Sequence, residues 1–336
     1  MAAKKVGKST VRFASPPIIV GTGTIAGPVE GKGPLAADFD VVLPDHAYGE
    51  RTPERSETKI LEQASRIAIE RAKIEKSMVD YYIAGDLLNQ VISAGFSARQ
   101  LAIPYFGVYG ACSTCAMSLA LAGMVIDGGF ADYVLVACSS HYQTAERQYR
   151  YPIELNIQRK TTSQYTVTGA GAALLASSGV GPKVTWATTG KVTDLGSKDI
   201  NDMGGAMAPA AADTLLAHFD DTGRGPSDYD LILTGDLASF GSEMLRELVR
   251  DNGVELGDNY RDCGLMVFDT KSQRVGAGGS GCACSAVVTF GHVLKEMEKG
   301  TYRNVLLIAT GALMSPLSFQ QGESIPCIAH AVAIEA

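Results

Sequence analysis

The sequence predicts an α/β protein in which one β/α unit is used twice, packed as a helix/sheet sandwich with two mixed sheets and buried helices between them. Three correspondences carry the prediction. Asp80–Asn89 (DYYIAGDLLN) returns as Asp230–Ser239 (DLILTGDLAS), so that Gly85-Asp86-Leu87 falls on Gly235-Asp236-Leu237. Gly110-Ala-Cys-Ser-Thr-Cys115 leads through an Ala-rich stretch and Asp127-Gly-Gly129 to the strand Tyr133–Ala137, just as Gly279–Ser285 leads through a helix ending at Lys299-Gly300 to Asn304–Ala309. Gly169-Ala-Gly171 opens one closing strand and Ile328-Ala-His-Ala331 opens the other. The expected halves are residues 1–180 and 181–336, with a ligand site where they meet.

The elements follow in order. Residues 17–24 (PIIVGTGT) read as a β-branched strand ending in glycines, with Val184–Thr189 as its counterpart. Residues 56–75 place Ile60, Leu61, Ala64, Ile67, Ala68 and Ala72 at helical spacing, with Ser56 or Thr58 available as caps. Residues 208–219 repeat the pattern with Pro209 near the helix start. Tyr133–Ala137, Ala172–Ala176, Leu231–Leu233, Val305–Ala309 and Ala329–Ile334 are continuous apolar runs, as strands covered on both faces require.

Composition narrows the function. The 336 residues are 46% hydrophobic, enough for a well-buried core, and the formal charge of −7 with scattered Lys and Arg argues against nucleic-acid binding. Seven cysteines, an odd number, and an N-terminus without an apolar h-region favour reduced thiols and no signal peptide. Residues 101–126 carry no charge, but Pro104, Gly107 and Gly110 interrupt them, which predicts a buried core helix after Cys112 rather than a transmembrane segment.

Cys112 stands at a glycine-preceded turn directly before that helix. A thiol there meets unpaired backbone N–H groups and the positive end of the helix dipole, which lower its pKa and favour anions; equally, it reads as a small buried residue. Cys112 and Cys115 have the spacing of a redox pair or half a zinc site, yet no second pair and no nearby histidine follow, so no metal site is expected.

These features together resemble the thiolase and β-ketoacyl-synthase superfamily over nearly the whole chain. The resemblance implies a five-layered αβαβα sandwich in which the Cys attacks a thioester while a His, with an Asn or second His, stabilises the oxyanion and moves protons. The chain departs from that pattern at the partners. Asp236 stands where the condensing His would sit, Ser280-Gly281 stands near the Asn position, and histidines 46, 141, 218, 292 and 330 match neither. The machinery of acyl transfer is missing, and an acyltransferase using Cys112 with unconventional partners is the alternative reading.

The strings Ala84–Gln90, Gly110–Thr114, Thr144–Pro152, Met207–Asp213, Gly278–Val288 and Ala309–Ala312 are similar to the stage V sporulation protein AD family. That resemblance implies a non-enzymatic subunit binding dipicolinic acid, free or as its calcium chelate, during sporulation and germination. It further implies a peripheral place on the spore inner membrane beside membrane-embedded channel subunits, and no cofactor. A homodimer is expected by analogy with the fold.

A receptor for a flat aromatic diacid needs anion donors and a slot for the ring. The helix N-terminus after Cys112 and the turn bearing Ser280 and Gly281 offer converging N–H groups. Asp236 either joins the ligand through calcium or caps the following helix, as Asp86 would in the other half. His141, after the Tyr133–Ala137 strand, is expected near Cys112, either donating to a carboxylate or packed as a hydrogen-bonding residue. Arg147 and Arg150 have the chemistry for bidentate carboxylate contacts, and equally that of an exposed or subunit-facing loop.

Overall fold

The structure, a computed structural model, describes residues 3–149 and 160–336. A hairpin of β1 (Lys5–Val6) and β2 (Thr10–Arg12) leads to β3 (Ile18–Ala26), with β4 (Val41–Val42) parallel to its end. Then come α1 (Pro53–Ala72), β5 (Tyr81–Gly85), α2 (Ile92–Leu101), β6 (Tyr105–Gly107), α3 (Thr114–Asp127), β7 (Tyr133–Ser140), α4 (Tyr142–Tyr149), β8 (Tyr165–Thr166) and β9 (Gly169–Ala176). Five of these strands lie in the order β6-β5-β7-β9-β3, with β5 parallel to β6 and β7, and β9 antiparallel to β7 and β3.

The remaining chain supplies β10 (Lys183–Thr189), α5 (Met203–Thr222), β11 (Leu231–Thr234), α6 (Ala238–Arg250), β12 (Tyr260–Asp262), α7 (Cys263–Met266) and β13 (Gly279–Ser280). It ends with α8 (Cys282–Val287), a π-helical stretch Val288–Val293, α9 (Leu294–Glu298), β14 (Asn304–Ala312), α10 (Pro316–Gln320) and β15 (Cys327–Glu335). The strand order β12-β11-β14-β15-β10 repeats the first set with the same parallel and antiparallel pairs. One residue pair, Lys183 with Ile18, joins the two sets. What the sequence predicts as two sheets is therefore hydrogen-bonded as one large sheet, folded back so that its halves face each other.

Alternation along the strands divides the core into three. Ile83, Val134 and Val136 point inward with Leu231, Leu233, Val305 and Leu307, where they meet Ala116 and Leu119 of α3 and Ala283 and Val287 of α8. Their neighbours Tyr82, Ala84, Leu135 and Ala137 point outward onto Ile60, Leu61 and Ala64 of α1. Ile232, Leu306 and Ile308 do the same with Met207, Ala211 and Leu215 of α5. The result is the five-layered, thiolase-like α/β arrangement, and both faces of every central strand are buried, which is why those segments read as unbroken apolar runs.

Two helix starts differ from the sequence expectation. The first long helix begins at Pro53, with the Thr52 hydroxyl accepting from Arg55 N–H, while the Ser56 and Thr58 hydroxyls donate to the carbonyls of His46 and Glu54. The fifth begins at Met203, capped by Asp202, so Pro209 lies inside it rather than near its start. Burial of Met203 and Met207 extends that helix past a residue that cannot donate to the preceding turn. Among the described residues no helix is long and apolar enough to cross a membrane.

Candidate functional site

Cys112 sits in a tight turn between β6 and α3. Ala111 before it has φ 49°, a left-handed conformation that costs a residue with a Cβ and that the surrounding bonds enforce. The Ser113 hydroxyl donates to Gly110 O at 2.6 Å, the Thr114 hydroxyl donates to Ala111 O at 2.7 Å, and Gly110 N–H donates to Thr114 Oγ1 at 3.2 Å. From the opposite half, the backbone of β14 presses on this turn at Gly311, where an added Cβ would lie 2.2 Å from Gly110 O and 3.2 Å from Cys112 N. Glycine is required there by close approach of two backbones.

Asp236 reaches the same place from the end of β11. It is fully buried, its Oδ1 accepting from the Thr310 hydroxyl at 2.8 Å and its Oδ2 from Gly281 N–H at 2.9 Å and the Ser280 hydroxyl at 3.4 Å. The Cys112 thiol lies within electrostatic reach of this carboxylate. Burial pushes the Asp236 carboxyl up to about 6, against the pull of these donors. Burial and the adjacent carboxylate hold the Cys112 thiol well above its ordinary range, so the helix N-terminus does not generate a thiolate here.

The role of helix cap falls to a different residue. Asp262, at the end of β12, accepts from Leu237 and Ala238 N–H at 2.9 Å and from the Thr234 hydroxyl at 2.7 Å, immediately ahead of α6. Asp86 does cap in its own half, accepting from Leu88 and Ala94 N–H at 2.7 Å each. Asp236 is thereby free to bind Gly281 and Thr310 of its own half and to face Cys112 of the other.

A narrow cleft of about 40 Å³ opens beside Cys112 and Ser280, enough for a few water molecules. Its other walls are Leu87, Ala111, Ala145, Tyr149, Thr166, Met203, Met207, Ala312 and Met314, drawn from both halves. Tyr149 is anchored by donating to Leu87 O and by a 2.9 Å bond to Tyr109 Oη. No lysine, arginine or histidine belongs to the described lining.

The family model described as Stage V sporulation protein AD matches residues 7–335. Stage V sporulation protein AD of Bacillus subtilis (strain 168) is 46% identical over 332 residues, covering 99% of this chain and 98% of that protein. The chain belongs to the stage V sporulation protein AD family. Among solved structures, 3-oxoacyl-[acyl-carrier-protein] synthase III from Aquifex aeolicus VF5 is similar with a TM-score of 0.60 at 14% identity, over 95% of this chain and 100% of that one. An OleA variant from Xanthomonas campestris bound with cerulenin gives a TM-score of 0.64 at 14% identity, over 97% and 98%. These likenesses fix the thiolase-like fold of this sporulation-family member.

Within that fold the sequence-selected residues separate into two groups. Cys112, Asp236, Ser280 and Gly281 meet. His141 does not join them: it is buried with Nε2 against His46 O at 2.8 Å and Nδ1 accepting from Gln143 N–H. Its burial lowers its pKa to about 4, and it packs on the His46 ring, away from the cleft lining. Arg147 pairs with Glu54 on the surface beside α1. Both follow from the turn after β7, which directs α4 so that Ala145 and Tyr149, not the basic side chains, face Cys112. Arg150 lies outside the described residues.

The sequence reading missed Tyr149, Thr310 and the three methionines. Tyr149 lay inside a segment already singled out for its arginines. The methionines carried no local signal, because Met203, Met207 and Met314 converge only through packing.

Proposed function

We propose that the chain is a non-enzymatic binding subunit for dipicolinic acid, free or as its calcium chelate, serving dipicolinate movement in sporulation and germination. The observation that carries this reading is the setting of Cys112: burial and a neighbouring carboxylate, itself bonded to Ser280 and Gly281, keep the thiol protonated, and among the described residues no histidine lines the cleft to take its proton. A protonated, base-less thiol is a poor nucleophile but a serviceable wall. Family membership supports a role in sporulation.

Leu87, Met203, Met207 and Met314 supply an apolar slot for a ring, and thioether side chains repack readily enough to widen it. A calcium chelate of the diacid carries no net charge, which suits such a lining. The chain would work from the periphery of the spore inner membrane beside membrane-embedded channel subunits. A homodimer fits the outer position of β6, whose Phe106 is 53% exposed. The net charge of −7 leaves nucleic acid outside this role.

Isothermal titration with dipicolinate, with and without calcium, against isophthalate, which lacks the ring nitrogen, tests the proposal. Saturable binding that prefers dipicolinate and is lost in Cys112→Trp supports it. No heat and no thermal stabilisation under either condition overturns it. Incubation with acyl-CoA followed by intact mass measurement tests the acyltransferase alternative, which requires an adduct on Cys112.

A further inference from the structure

We propose that the cleft accepts a free carboxylate only together with a proton, which Asp236 takes up. The inference rests on the ligand-binding reading above and concerns how that site handles charge. Donor geometry carries it. With Asp236 ionised, the Ser280 hydroxyl directs its hydrogen to the carboxylate, and the Cys112 thiol nearby stays protonated. Ser280 belongs to the cleft lining, and in that state its hydroxyl turns lone pairs toward the cleft. A carboxylate arriving there meets acceptors, with a second carboxylate behind them.

A proton on Asp236 reverses the arrangement. The carboxyl then donates to Ser280 Oγ, and the hydroxyl hydrogen of Ser280 turns to the ligand. Gly281 N–H and the Thr310 hydroxyl remain donors to the Asp236 oxygens in both states. One proton enters from solvent for each carboxylate bound, and none leaves the site.

Among the described residues, nothing packed around Asp236 supplies a competing positive charge. It is faced by Cys112 from the turn before α3, Ser280 from β13, Thr310 from β14 and Asp262 from β12. The thiols of Cys263 on α7, Cys284 on α8 and Cys327 on β15 lie within electrostatic reach and are neutral. Gln164 donates its amide to Asp236 O, a backbone contact indifferent to the charge. The carboxyl's raised pKa, caused by burial, places the proton within reach near neutrality.

The experiment is titration calorimetry of the full chain in EDTA, with dipicolinate and separately with isophthalate, in buffers of differing ionisation enthalpy. At about pH 7.5 the expected uptake is about one proton per ligand, and affinity falls about tenfold per pH unit above the Asp236 carboxyl's titration. Asp236→Asn, whose amide donates permanently to Ser280, should bind with neither pH dependence nor proton uptake. Ser280→Ala, should the Asn variant not fold, should lose affinity and uptake together.

Binding without proton uptake, or binding only when calcium is restored, overturns the proton coupling and leaves the dipicolinate reading standing. Proton-linked binding of isophthalate with none of dipicolinate keeps the coupling and removes the proposed ligand. No binding of either acid between about pH 5 and 8, with or without calcium, removes both.

Discussion

Asp262 caps the helix that follows Asp236, and Asp236 caps nothing on its own helix. In the first half one carboxylate, Asp86, serves the corresponding turn from its own strand. In the second half the duty has passed to the neighbouring strand, where Asp262 binds two N–H groups and the Thr234 hydroxyl. Asp262→Ala leaves the buried N–H groups of Leu237 and Ala238 without an acceptor, while the Thr234 hydroxyl retains Tyr260 Oη, and should lower stability by about 3 kcal/mol in urea unfolding. Asp262→Asn, which keeps an acceptor oxygen, should lose less. Equal losses in the two variants would mean that the cap is not what holds this turn.

Stability should fall as pH rises from about 6.5 to 8. Burial raises the carboxyls of Glu57 to about 8, Glu30 and Asp262 to about 7, and Asp86 and Asp236 to about 6, from ordinary values of 3.8 to 4.5. The folded chain holds protons that the unfolded chain has released. Their stabilising contribution is complete below the unfolded values and is lost as pH rises through the folded ones. His141, His218 and His330, lowered by burial to about 4, act oppositely, but only below the unfolded value of 6.5. Urea unfolding across the upper window should show a slope of up to about 1.4 kcal/mol per pH unit for each proton involved, and Glu57→Gln should flatten it. A pH-independent midpoint would contradict it.

Alkylation of Cys112 by iodoacetamide should still be accelerating at about pH 9, because the thiol is held protonated by burial and by Asp236. Asp236→Asn removes the charge and should raise the rate at about pH 8 by an order of magnitude. Peptide mass mapping separates Cys112 from Cys115, Cys138, Cys263, Cys282, Cys284 and Cys327, which are all buried. A rate already at its plateau near neutrality would mean that the thiolate forms despite its surroundings.

Gly311→Ala should destabilise the fold by about 2 kcal/mol, since a methyl group there overlaps Gly110 O and crowds the N–H groups of Ser113 and Cys112. The same change should alter the alkylation rate of Cys112, which a remote destabilising substitution would leave unchanged in the folded state. Thermal unfolding and the alkylation assay together check both statements.

The fold was legible because duplication is a property of the sequence itself. Gly85-Asp86-Leu87 and Gly235-Asp236-Leu237 do end corresponding strands, and the closing strands that begin near Gly169 and Ile328 pair in matching positions. The meeting of Cys112, Asp236, Ser280 and Gly281 was legible for the same reason, since strand ends and helix starts converge in such a fold. His141 shows the limit. It stands one residue beyond β7, but which side of the sheet its ring takes depends on the His46 carbonyl, a residue 95 positions away that shares no pattern with it. The transfer of the cap from Asp236 to Asp262 was equally hidden, because a carboxylate at a strand end looks the same whichever N–H groups it will meet.

The contact between Gly311 and the Gly110–Ser113 turn also decides how the cleft can deform. Main chain touches main chain there, so that side moves only as a unit with both halves of the molecule. Across from it stand Met203 and Met207 of α5 and Met314 of the loop after β14, whose side chains turn about three bonds without disturbing the backbone. One wall of the cleft is rigid and the other compliant. In the proposed binding role, discrimination by hydrogen bonding would therefore belong to the Cys112 side, and tolerance of ligand size to the methionines.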